Sequence, residues 1–294
     1  MSEKEHKAGF VSIIGKPNVG KSTLMNQLVG ERLSIITSKA QTTRHRILGI
    51  ISGDDFQIVY SDTPGMIKPA YELQSNMMRF VNSSLEDADV VLLVSDLFDH
   101  YDDTLIKILT KISRPLILIL NKIDLDKGGQ TEEKIAYWQT PLSFTRIIPI
   151  SALTGTGIEN VFETILETLP VHPPYFPKDT LTDKPEKFFA SELIREKIFL
   201  HYRKEVPYST EVVITEFIES EDIIHLRAEI YVERKSQKGI IIGKGGEALK
   251  RIGTEARKDM EIFFDKKVFL ETFVKVAQDW RKKEMNLKRF GYGI

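Results

Sequence analysis

Hydrophobic positions in the first half of the chain form short apolar runs, separated by longer segments with helical spacing. Short runs rich in β-branched residues predict buried strands, and apolar residues repeated every three to four positions predict amphipathic helices. The predicted strands cover residues 10–14, 47–51, 56–61, 90–94, 115–120 and 147–150. The predicted helices begin near Ser22 and cover residues 73–85, 103–112 and 158–169. This alternation predicts an α/β fold with a mostly parallel sheet covered on both faces, and a hairpin turning at Gly53-Asp54-Asp55.

The second half has a different order of elements. A helix is predicted first, then two strands joined by an acidic turn, a glycine-rich turn, a helix, a strand and a last helix. These elements cover residues 187–204, 210–219, 223–234, 247–263, 267–276 and 278–289. Strands followed by helices in this order predict a separate α+β domain.

A cluster of prolines marks the predicted boundary between the halves. Proline lacks a backbone N–H and biases its predecessor to extended geometry, so a helix cannot cross the cluster. The prolines are Pro170, Pro173, Pro174 and Pro177. We predict a first domain over residues 1–172, a Pro-rich linker over 173–180 and a second domain over 181–294, each domain of ordinary length.

Composition excludes several classes of protein. Cysteine is absent, which excludes a disulfide framework, a thiolate zinc site and a cysteine nucleophile. The first nine residues are charged, and no window approaches the roughly 18 apolar residues of a membrane span. We therefore expect a soluble protein of a reducing compartment, the cytoplasm.

The net charge of −1 is unevenly divided. Residues 1–177 hold 17 Lys and Arg against 21 Asp and Glu, which gives −4, and residues 178–294 hold 24 against 21, which gives +3. Ordinary surface variation explains this as well as a basic second half that meets a polyanion.

A glycine-rich loop follows the first predicted strand and opens the first predicted helix. The stretch Gly15-Lys16-Pro17-Asn18-Val19-Gly20-Lys21-Ser22 matches GxxxxGK[ST], in which backbone N–H groups cradle phosphates at a helix N-terminus. Lys21 is predicted to neutralise the β- and γ-phosphates, and Ser22 to ligate Mg²⁺. The whole loop, together with Thr23, is the predicted triphosphate site of a P-loop NTPase of the Ras-like type.

Two later motifs stand at the ends of predicted strands. Asp62-Thr63-Pro64-Gly65 supplies a carboxylate that can hold Mg²⁺ through water and an N–H at Gly65 that can sense a γ-phosphate. Asn121-Lys122-Ile123-Asp124 offers a carboxylate, at Asp124, for guanine N1–H and the 2-amino group, which adenine lacks. Ser151-Ala152 is placed to offer the Ala152 N–H to guanine O6. The motifs predict a guanine-nucleotide site.

The catalytic group is less evident. Many GTPases place a glutamine after the DxxG glycine, but this chain has Met66 there, whose thioether cannot orient water. Asn18 can help to hold a monovalent cation against the phosphates. The loop Gln41-Thr42-Thr43-Arg44 lies where a switch loop belongs, and Thr43 is favoured slightly over Thr42 as a further Mg²⁺ ligand. Lys21, Asn18 and Thr43 are thus the catalytic candidates, although a plain polar loop explains the last segment equally well.

A GxxG turn in the second half points to nucleic acid. Gly243-Lys244-Gly245-Gly246 precedes a predicted helix that carries Lys250 and Arg251. A turn with few side chains lets a nucleic-acid backbone approach, while its N–H groups and the basic side chains meet phosphates. A simple helix-entry turn is the alternative. The element order around the turn resembles a type II KH domain, a fold that grips about four nucleotides of single-stranded RNA.

The combination of GTPase motifs with one C-terminal KH domain resembles the bacterial Era family of GTPases over nearly the whole chain. The matching strings are residues 41–46, 194–197, 205–209, 242–246 and 291–293. The resemblance implies Mg²⁺-dependent GTP hydrolysis, stimulated by K⁺ through the Asn18 and Met66 pattern. It also implies binding of the 3′ end of 16S rRNA and a role in 30S maturation, with GTP favouring the RNA-competent state and hydrolysis driving release.

The resemblance further implies a monomer with peripheral membrane association. The basic run Arg281-Lys282-Lys283, in the predicted C-terminal helix, offers one membrane contact, and a solvated helix face is the simpler explanation.

Two other functions compete with this interpretation. A GTP-responsive RNA-binding scaffold with negligible turnover is favoured by Met66. A tRNA-modifying GTPase shares the phosphate loop, but this chain lacks the extra length and the cysteine of that class. A double-GTPase factor is excluded because the chain has a single phosphate loop.

Overall fold

The computed structural model describes residues 5–100 and 103–293, with the side chains of residues 103 and 104 left out. The chain forms two compact units. The first contains the chain up to Ser34 together with Thr43–Lys68 and Met77–Asp183, and the second contains Ile35–Thr42, Pro69–Asn76 and the chain from Lys184 onward.

Within the described residues, the first unit is built on a six-stranded sheet with the order β2-β3-β1-β4-β5-β6. Neighbouring strands are parallel except β2 and β3, which form the predicted hairpin. The strands are β1 (Lys7–Ile14), β2 (Ile47–Ser52), β3 (Phe56–Asp62), β4 (Val90–Asp96), β5 (Leu116–Asn121) and β6 (Arg146–Pro149). The helices are α1 (Lys21–Val29), α2 (Glu72–Asp87), α3 (Asp103–Leu109), α4 (Gln130–Gln139) and α5 (Ile158–Thr168). The α/β prediction is confirmed.

The central strands are apolar because both faces of the sheet are covered. Every residue of β4 and β5 is buried, as expected for parallel strands between two helical layers. The carboxyl ends of parallel strands meet at one edge, where ligands of open α/β sheets bind. The loops after β1, β3, β5 and β6 therefore converge, and these loops carry the nucleotide motifs.

The second unit holds the helix α6 (Glu186–His201) and, in its described part, a three-stranded sheet with the order β7-β8-β9. β7 (Glu211–Glu219) is antiparallel to β8 (Ile223–Val232), and β8 is parallel to β9 (Lys267–Val276). The helices α7 (Lys235–Ile242) and α8 (Glu247–Phe264) connect β8 to β9. Alternate residues of β8, among them Ile224, Leu226 and Ala228, are buried in a core shared with α6 and α8. The α+β prediction is confirmed.

Two helices were missed from the sequence. α4 buries only Lys134 and Trp138, so its apolar periodicity is weak, although Asp126 accepts hydrogen bonds from the N–H groups of Gln130 and Thr131 at its start. α7 contains Gly239 and three isoleucines, a composition that weakens a helix prediction. Its start is capped by Gln237, whose side chain accepts hydrogen bonds from two backbone N–H groups before the helix.

The predicted last helix over residues 278–289 is wrong as a single element. A 3₁₀ turn, Trp280–Lys282, is followed by the short helix α9 (Glu284–Arg289). Asp279 has a left-handed backbone, which interrupts a helix at this point. Among the described residues, no helix is long and apolar enough to cross a membrane.

Candidate nucleotide site and nucleic-acid interface

The phosphate loop between β1 and α1 requires glycine at two positions. A Cβ on Gly15 would lie 2.2 Å from the Val94 carbonyl oxygen, and one on Gly20 would lie 2.1 Å from Asn121 Nδ2. Both glycines also have positive φ angles, of 149° and 100°. Asn18 has φ 65° and is exposed. The predicted phosphate-binding residues lie in this loop or in the first turn of α1, except Gly65, which follows β3.

Lys21 lies inside the curl of the loop. Its side chain donates hydrogen bonds to the carbonyl oxygens of Gly15, at 3.2 Å, and of Lys16, at 2.8 Å, and the residue is 6% exposed. Burial lowers the pKa of Lys21 to about 8, against the raising effect of the Asp62 and Asp99 carboxylates. A triphosphate in the loop would add negative charge beside the ammonium group and favour its protonated form.

Ser22, Thr43 and Asp62 are brought together as predicted for a metal site. The Ser22 hydroxyl lies 2.7 Å from Asp62 Oδ2 and 2.9 Å from Thr43 Oγ1. Ser34, which the sequence did not indicate, also donates to Asp62 Oδ2 at 2.8 Å. A hydroxyl-and-carboxylate set of this kind suits a hard divalent cation.

The environment of Asp62 supports a cation at this position. Asp62 is fully buried, and burial raises the pKa of its carboxyl group despite hydrogen bonds from Ser22 and Ser34 and the charge of Lys21. Its Oδ1 is buried and has no hydrogen-bond partner among the described residues. Since a buried acceptor without a partner is costly, the residues present fit Mg²⁺, held directly or through water.

The two threonines of the switch segment differ in their partners. The Thr42 hydroxyl bonds to Thr37 Oγ1 at 2.6 Å and donates to the Lys39 carbonyl at 2.8 Å, within its own loop. The Thr43 hydroxyl instead contacts Ser22. This arrangement favours Thr43 as the metal ligand.

The DxxG segment packs directly on the phosphate loop. A Cβ on Gly65 would lie 2.7 Å from the Pro17 backbone nitrogen, and the Met66 N–H donates to the Gly15 carbonyl at 2.9 Å. The Met66 side chain packs against the apolar cluster that contains Ile14. Met66 thus provides apolar packing and no polar group for an attacking water.

The base-binding motifs are joined through Asn121. Its Nδ2 donates to the Val19 carbonyl at 2.8 Å, and its Oδ1 accepts the Ala152 N–H at 2.9 Å, so one buried amide links the phosphate loop to the loop after β6. Ser151 donates to Asp124 Oδ1 at 2.6 Å and orients that carboxylate. Asp124 itself is exposed.

Two details of the base site come from the structure alone. Asp124 is at the surface, so burial of its carboxylate would have to come from a base bound against it. The Ala152 N–H is donated to Asn121, and its hydrogen bond to guanine O6 stays a prediction. Lys122 has φ 67° and pairs with Asp96 at 2.6 Å, which fixes the turn beneath the base site.

The GxxG turn joins α7 to α8 and contains three glycines with positive φ. Gly243, Gly245 and Gly246 have φ angles of 73°, 60° and 83°. A Cβ on Gly243 would lie 2.6 Å from the Ala248 Cβ, whereas Gly245 and Gly246 face open space. Lys244, Lys250 and Arg251 are exposed on the turn and the first turns of α8. Ile240, half exposed just before the turn, is an apolar neighbour that the sequence analysis did not include.

The C-terminal segment is solvated only in part: Lys282 and Lys283 are exposed, whereas Trp280 and Arg281 pack within the second unit. Trp280 is fully buried and donates to the Ser209 carbonyl at 2.8 Å. Arg281 pairs with Glu233 at 2.5 Å, and its guanidinium lies 5.0 Å from the ring centre of Tyr71, in the inserted segment Pro69–Asn76. The apolar side of this segment is therefore used inside the second unit.

Comparison with known families assigns both units. Residues 10–122 match the family model described as 50S ribosome-binding GTPase, and residues 205–281 match the KH domain. The chain is 46% identical to the chloroplastic GTPase ERA1 of Zea mays, over 98% of this chain and 71% of that protein.

Two solved structures are similar over the whole fold. One is Era in complex with MgGDPNP and nucleotides 1506–1542 of 16S ribosomal RNA, with a TM-score of 0.91. The other is a variant of Aquifex aeolicus Era bound to GDP·AlF₄⁻, with a TM-score of 0.92. Each is 38% identical to this chain and covers 98% of it and 100% of the solved chain. The chain therefore belongs to the Era family, in which a GTP-hydrolysing domain is followed by a C-terminal KH domain.

Proposed function

We propose that this protein binds and hydrolyses GTP with Mg²⁺, binds the 3′ end of 16S rRNA through its KH domain, and assists assembly of the 30S subunit. The observation that carries the proposal is the cluster of Ser22, Thr43 and Asp62 beside the buried ammonium of Lys21. Similarity to an Era complex with MgGDPNP and a 16S rRNA fragment supports the ligands. We further propose residues 1–172 as the GTPase domain, 173–180 as the linker and 181–294 as the KH domain.

The phosphate chemistry follows from charge and position. Bound Mg²⁺ would neutralise negative charge that develops on the phosphates. The Ser22 and Thr43 hydroxyls and the Asp62 carboxylate would hold it, and the unpartnered Asp62 Oδ1 supports this role. Lys21 donates to the same phosphates, and the Gly65 N–H reports whether a γ-phosphate is present. Phosphoryl transfer needs positioning and charge stabilisation more than covalent catalysis, which suits a site with these groups.

Selection of the base is assigned to Asp124. A carboxylate accepts hydrogen bonds from guanine N1–H and the 2-amino group, whereas adenine presents an acceptor at N1. Ser151 orients this carboxylate, and Asn121 fixes the loops on either side of it. Ala152 N–H contributes to O6 recognition only if it is shared with, or released from, Asn121.

The GxxG turn is the proposed RNA contact. Its open backbone at Gly245 and Gly246, with Lys244, Lys250 and Arg251 exposed around it, suits a phosphate backbone. We propose that GTP favours the RNA-competent state and that hydrolysis drives release. We propose that the protein acts as a monomer in the cytoplasm. Peripheral membrane association would rest on the exposed Lys282 and Lys283, because Arg281 pairs with Glu233.

Phosphate release under multiple turnovers tests the activity. We expect turnover with GTP and Mg²⁺, at least about 100-fold slower turnover with ATP, and an altered rate when an RNA with the sequence of nucleotides 1506–1542 of 16S rRNA is added. The second candidate function, a GTP-responsive scaffold, is favoured by the apolar packing of Met66. Tight GTP binding with no more than one phosphate released per protein would support the scaffold function and refute the proposal that the protein is a GTP-hydrolysing enzyme.

Potassium dependence tests the role of Asn18. Asn18 is an exposed residue of the phosphate loop with φ 65°, so its side-chain oxygen is accessible to a monovalent cation bound beside the phosphates. We expect faster GTP hydrolysis in KCl than in NaCl at equal ionic strength, and loss of the difference in Asn18→Ala. Equal rates in both salts, or an undiminished potassium effect in the variant, would refute the assignment.

A further inference from the structure

The helix α6 holds the segment Ile35–Thr42 along its length. Both belong to the second unit. The Ile36 N–H donates to Glu196 Oε1 at 3.4 Å, and the Lys39 ammonium donates to the carbonyl oxygens of Phe199 and Tyr202 at the end of the helix. Arg195 donates from Nη2 to the carbonyl oxygen of Thr42, the residue before the proposed Mg²⁺ ligand Thr43.

Arg195 is an unusual residue for a buried position. It is 1% exposed, and its charge is balanced by Glu192, which accepts from Nε at 2.7 Å and also from Nη2. The planar guanidinium packs over the Phe199 ring, with 5.3 Å between its carbon and the ring centre. A guanidinium can grip a carboxylate with two N–H groups and still direct a donor elsewhere, which a lysine ammonium cannot do with the same geometry.

The carbonyl that Arg195 holds belongs to the peptide bond before Thr43. Because a peptide unit is planar, a fixed Thr42 carbonyl also fixes the nitrogen of Thr43 and limits where the Thr43 side chain can point. The Thr43 hydroxyl lies 2.9 Å from the Ser22 hydroxyl, which in turn contacts Asp62. The hydrogen bond from α6 therefore ends one residue away from the proposed Mg²⁺ site.

We propose that Arg195 is a positioning residue for GTP hydrolysis, which fixes the Thr42–Thr43 peptide so that the Thr43 hydroxyl meets the metal. This inference rests on the proposed function of Thr43 as a ligand. It makes hydrolysis depend on a helix that lies far along the chain from the phosphate loop. The role is separate from RNA binding, since Arg195 is buried and the GxxG turn is built by α7 and α8.

The test compares Arg195→Lys and Lys39→Met with the control Lys187→Met in the full-length protein. Lys187 is an exposed residue of the same helix. Arg195→Lys keeps the positive charge but loses the planar set of N–H donors that binds Glu192 and Thr42 together. We expect kcat for GTP to fall by about 10- to 100-fold, the usual cost of a small misplacement of a catalytic group, here the Thr43 hydroxyl. The Mg²⁺ concentration for half-maximal activity should rise. Lys39→Met should change both quantities in the same direction by less, and Lys187→Met should match the wild type.

GDP affinity separates a positioning role from a structural one. Switch segments are ordered by contacts with the γ-phosphate and its metal, so a Thr43 defect should spare GDP binding. We expect GDP affinity and thermal unfolding of Arg195→Lys to stay close to wild type. If GDP affinity, GTP affinity and the unfolding temperature all fall in Arg195→Lys, the Arg195–Glu192 ion pair has only a structural role and the proposal is overturned. If Arg195→Lys does not fold, the decision rests on Lys39→Met, whose wild-type Mg²⁺ dependence would overturn the proposal.

Thr43→Ala, measured alongside, distinguishes failure of the inference from failure of the proposed function. If Thr43→Ala lowers hydrolysis and Arg195→Lys does not, the ligand assignment stands and the positioning role is wrong. If Thr43→Ala hydrolyses GTP normally, the ligand assignment and the inference built on it both fail.

Discussion

Asp124→Asn is expected to lower GTP affinity by about 100-fold or more. The carboxylate would accept two hydrogen bonds from guanine, each worth about 1.5–3 kcal/mol to a charged group, and 1.4 kcal/mol is about a tenfold change in affinity. Asparagine presents an amide that can accept one of them and whose NH₂ opposes the other donor. Titration with a fluorescent GTP analogue measures the loss.

The same variant should gain affinity for xanthosine triphosphate, because xanthine carries a carbonyl where guanine has its 2-amino group and the asparagine NH₂ can donate to it. Asp126→Asn is the matched control. Asp126 lies two residues further on and accepts hydrogen bonds from Gly128, Gln130 and Thr131 at the start of α4, away from the motif's base contact. Normal GTP affinity in Asp124→Asn, or an equal loss in Asp126→Asn, would show that Asp124 does not read the base.

The double change Lys244→Asp with Gly245→Asp is expected to lower RNA affinity by about 100-fold while leaving GTP affinity unchanged. The charge becomes three units more negative where the phosphate backbone is proposed to lie, because two carboxylates are added and the Lys244 ammonium is lost. The turn should survive, because the Gly245 Cβ position is open and aspartate is among the side chains that tolerate its φ of 60°. Gly243 is left in place, since a Cβ there would meet Ala248 at 2.6 Å.

Binding of labelled RNA across a range of salt concentrations measures this effect. The slope of log affinity against log salt concentration should become shallower by roughly 0.7 for each phosphate of the single strand that is no longer neutralised. Lys282→Asp with Met285→Asp is the control, because it makes the same change of charge at exposed positions of the same unit. An equal decrease of RNA affinity in both double variants would assign the effect to overall charge and remove the GxxG turn from the RNA surface.

Local patterns in the sequence were sufficient for most of the fold. Strand runs such as residues 90–94 and 115–120 are apolar because both faces of the sheet are covered, so burial of these strands can be predicted from their residue types. The phosphate loop was also predictable from the sequence, because Gly15 and Gly20 lie against a carbonyl and an amide where no Cβ fits and only glycine is accepted. The helices α4 and α7 were missed because their stability comes from caps and packing more than from an apolar period.

The sequence predicted which residues form the nucleotide site, but not the hydrogen bonds between them. Motif order placed Asp62, Asn121 and Asp124 at one edge of the sheet, since parallel strands end together. The sequence favoured Thr43 over Thr42 only slightly, and the structure supports that preference because each hydroxyl has a different partner. Ser34 gave no signal, because a lone serine in a polar loop has no pattern that marks it as a partner of a buried carboxylate.

The sequence by itself determined the chemistry of the chain: the phosphate loop, the guanine motif, the GxxG turn and the order of elements that carries them. Only the tertiary structure decided which distant groups hold that chemistry in place, as with Arg195 and the Thr42 carbonyl, which are 153 residues apart. The physical reason is the range of the interactions. Periodicity and turn chemistry act over a few neighbours, whereas a hydrogen bond between remote segments depends on how the folded chain brings them together.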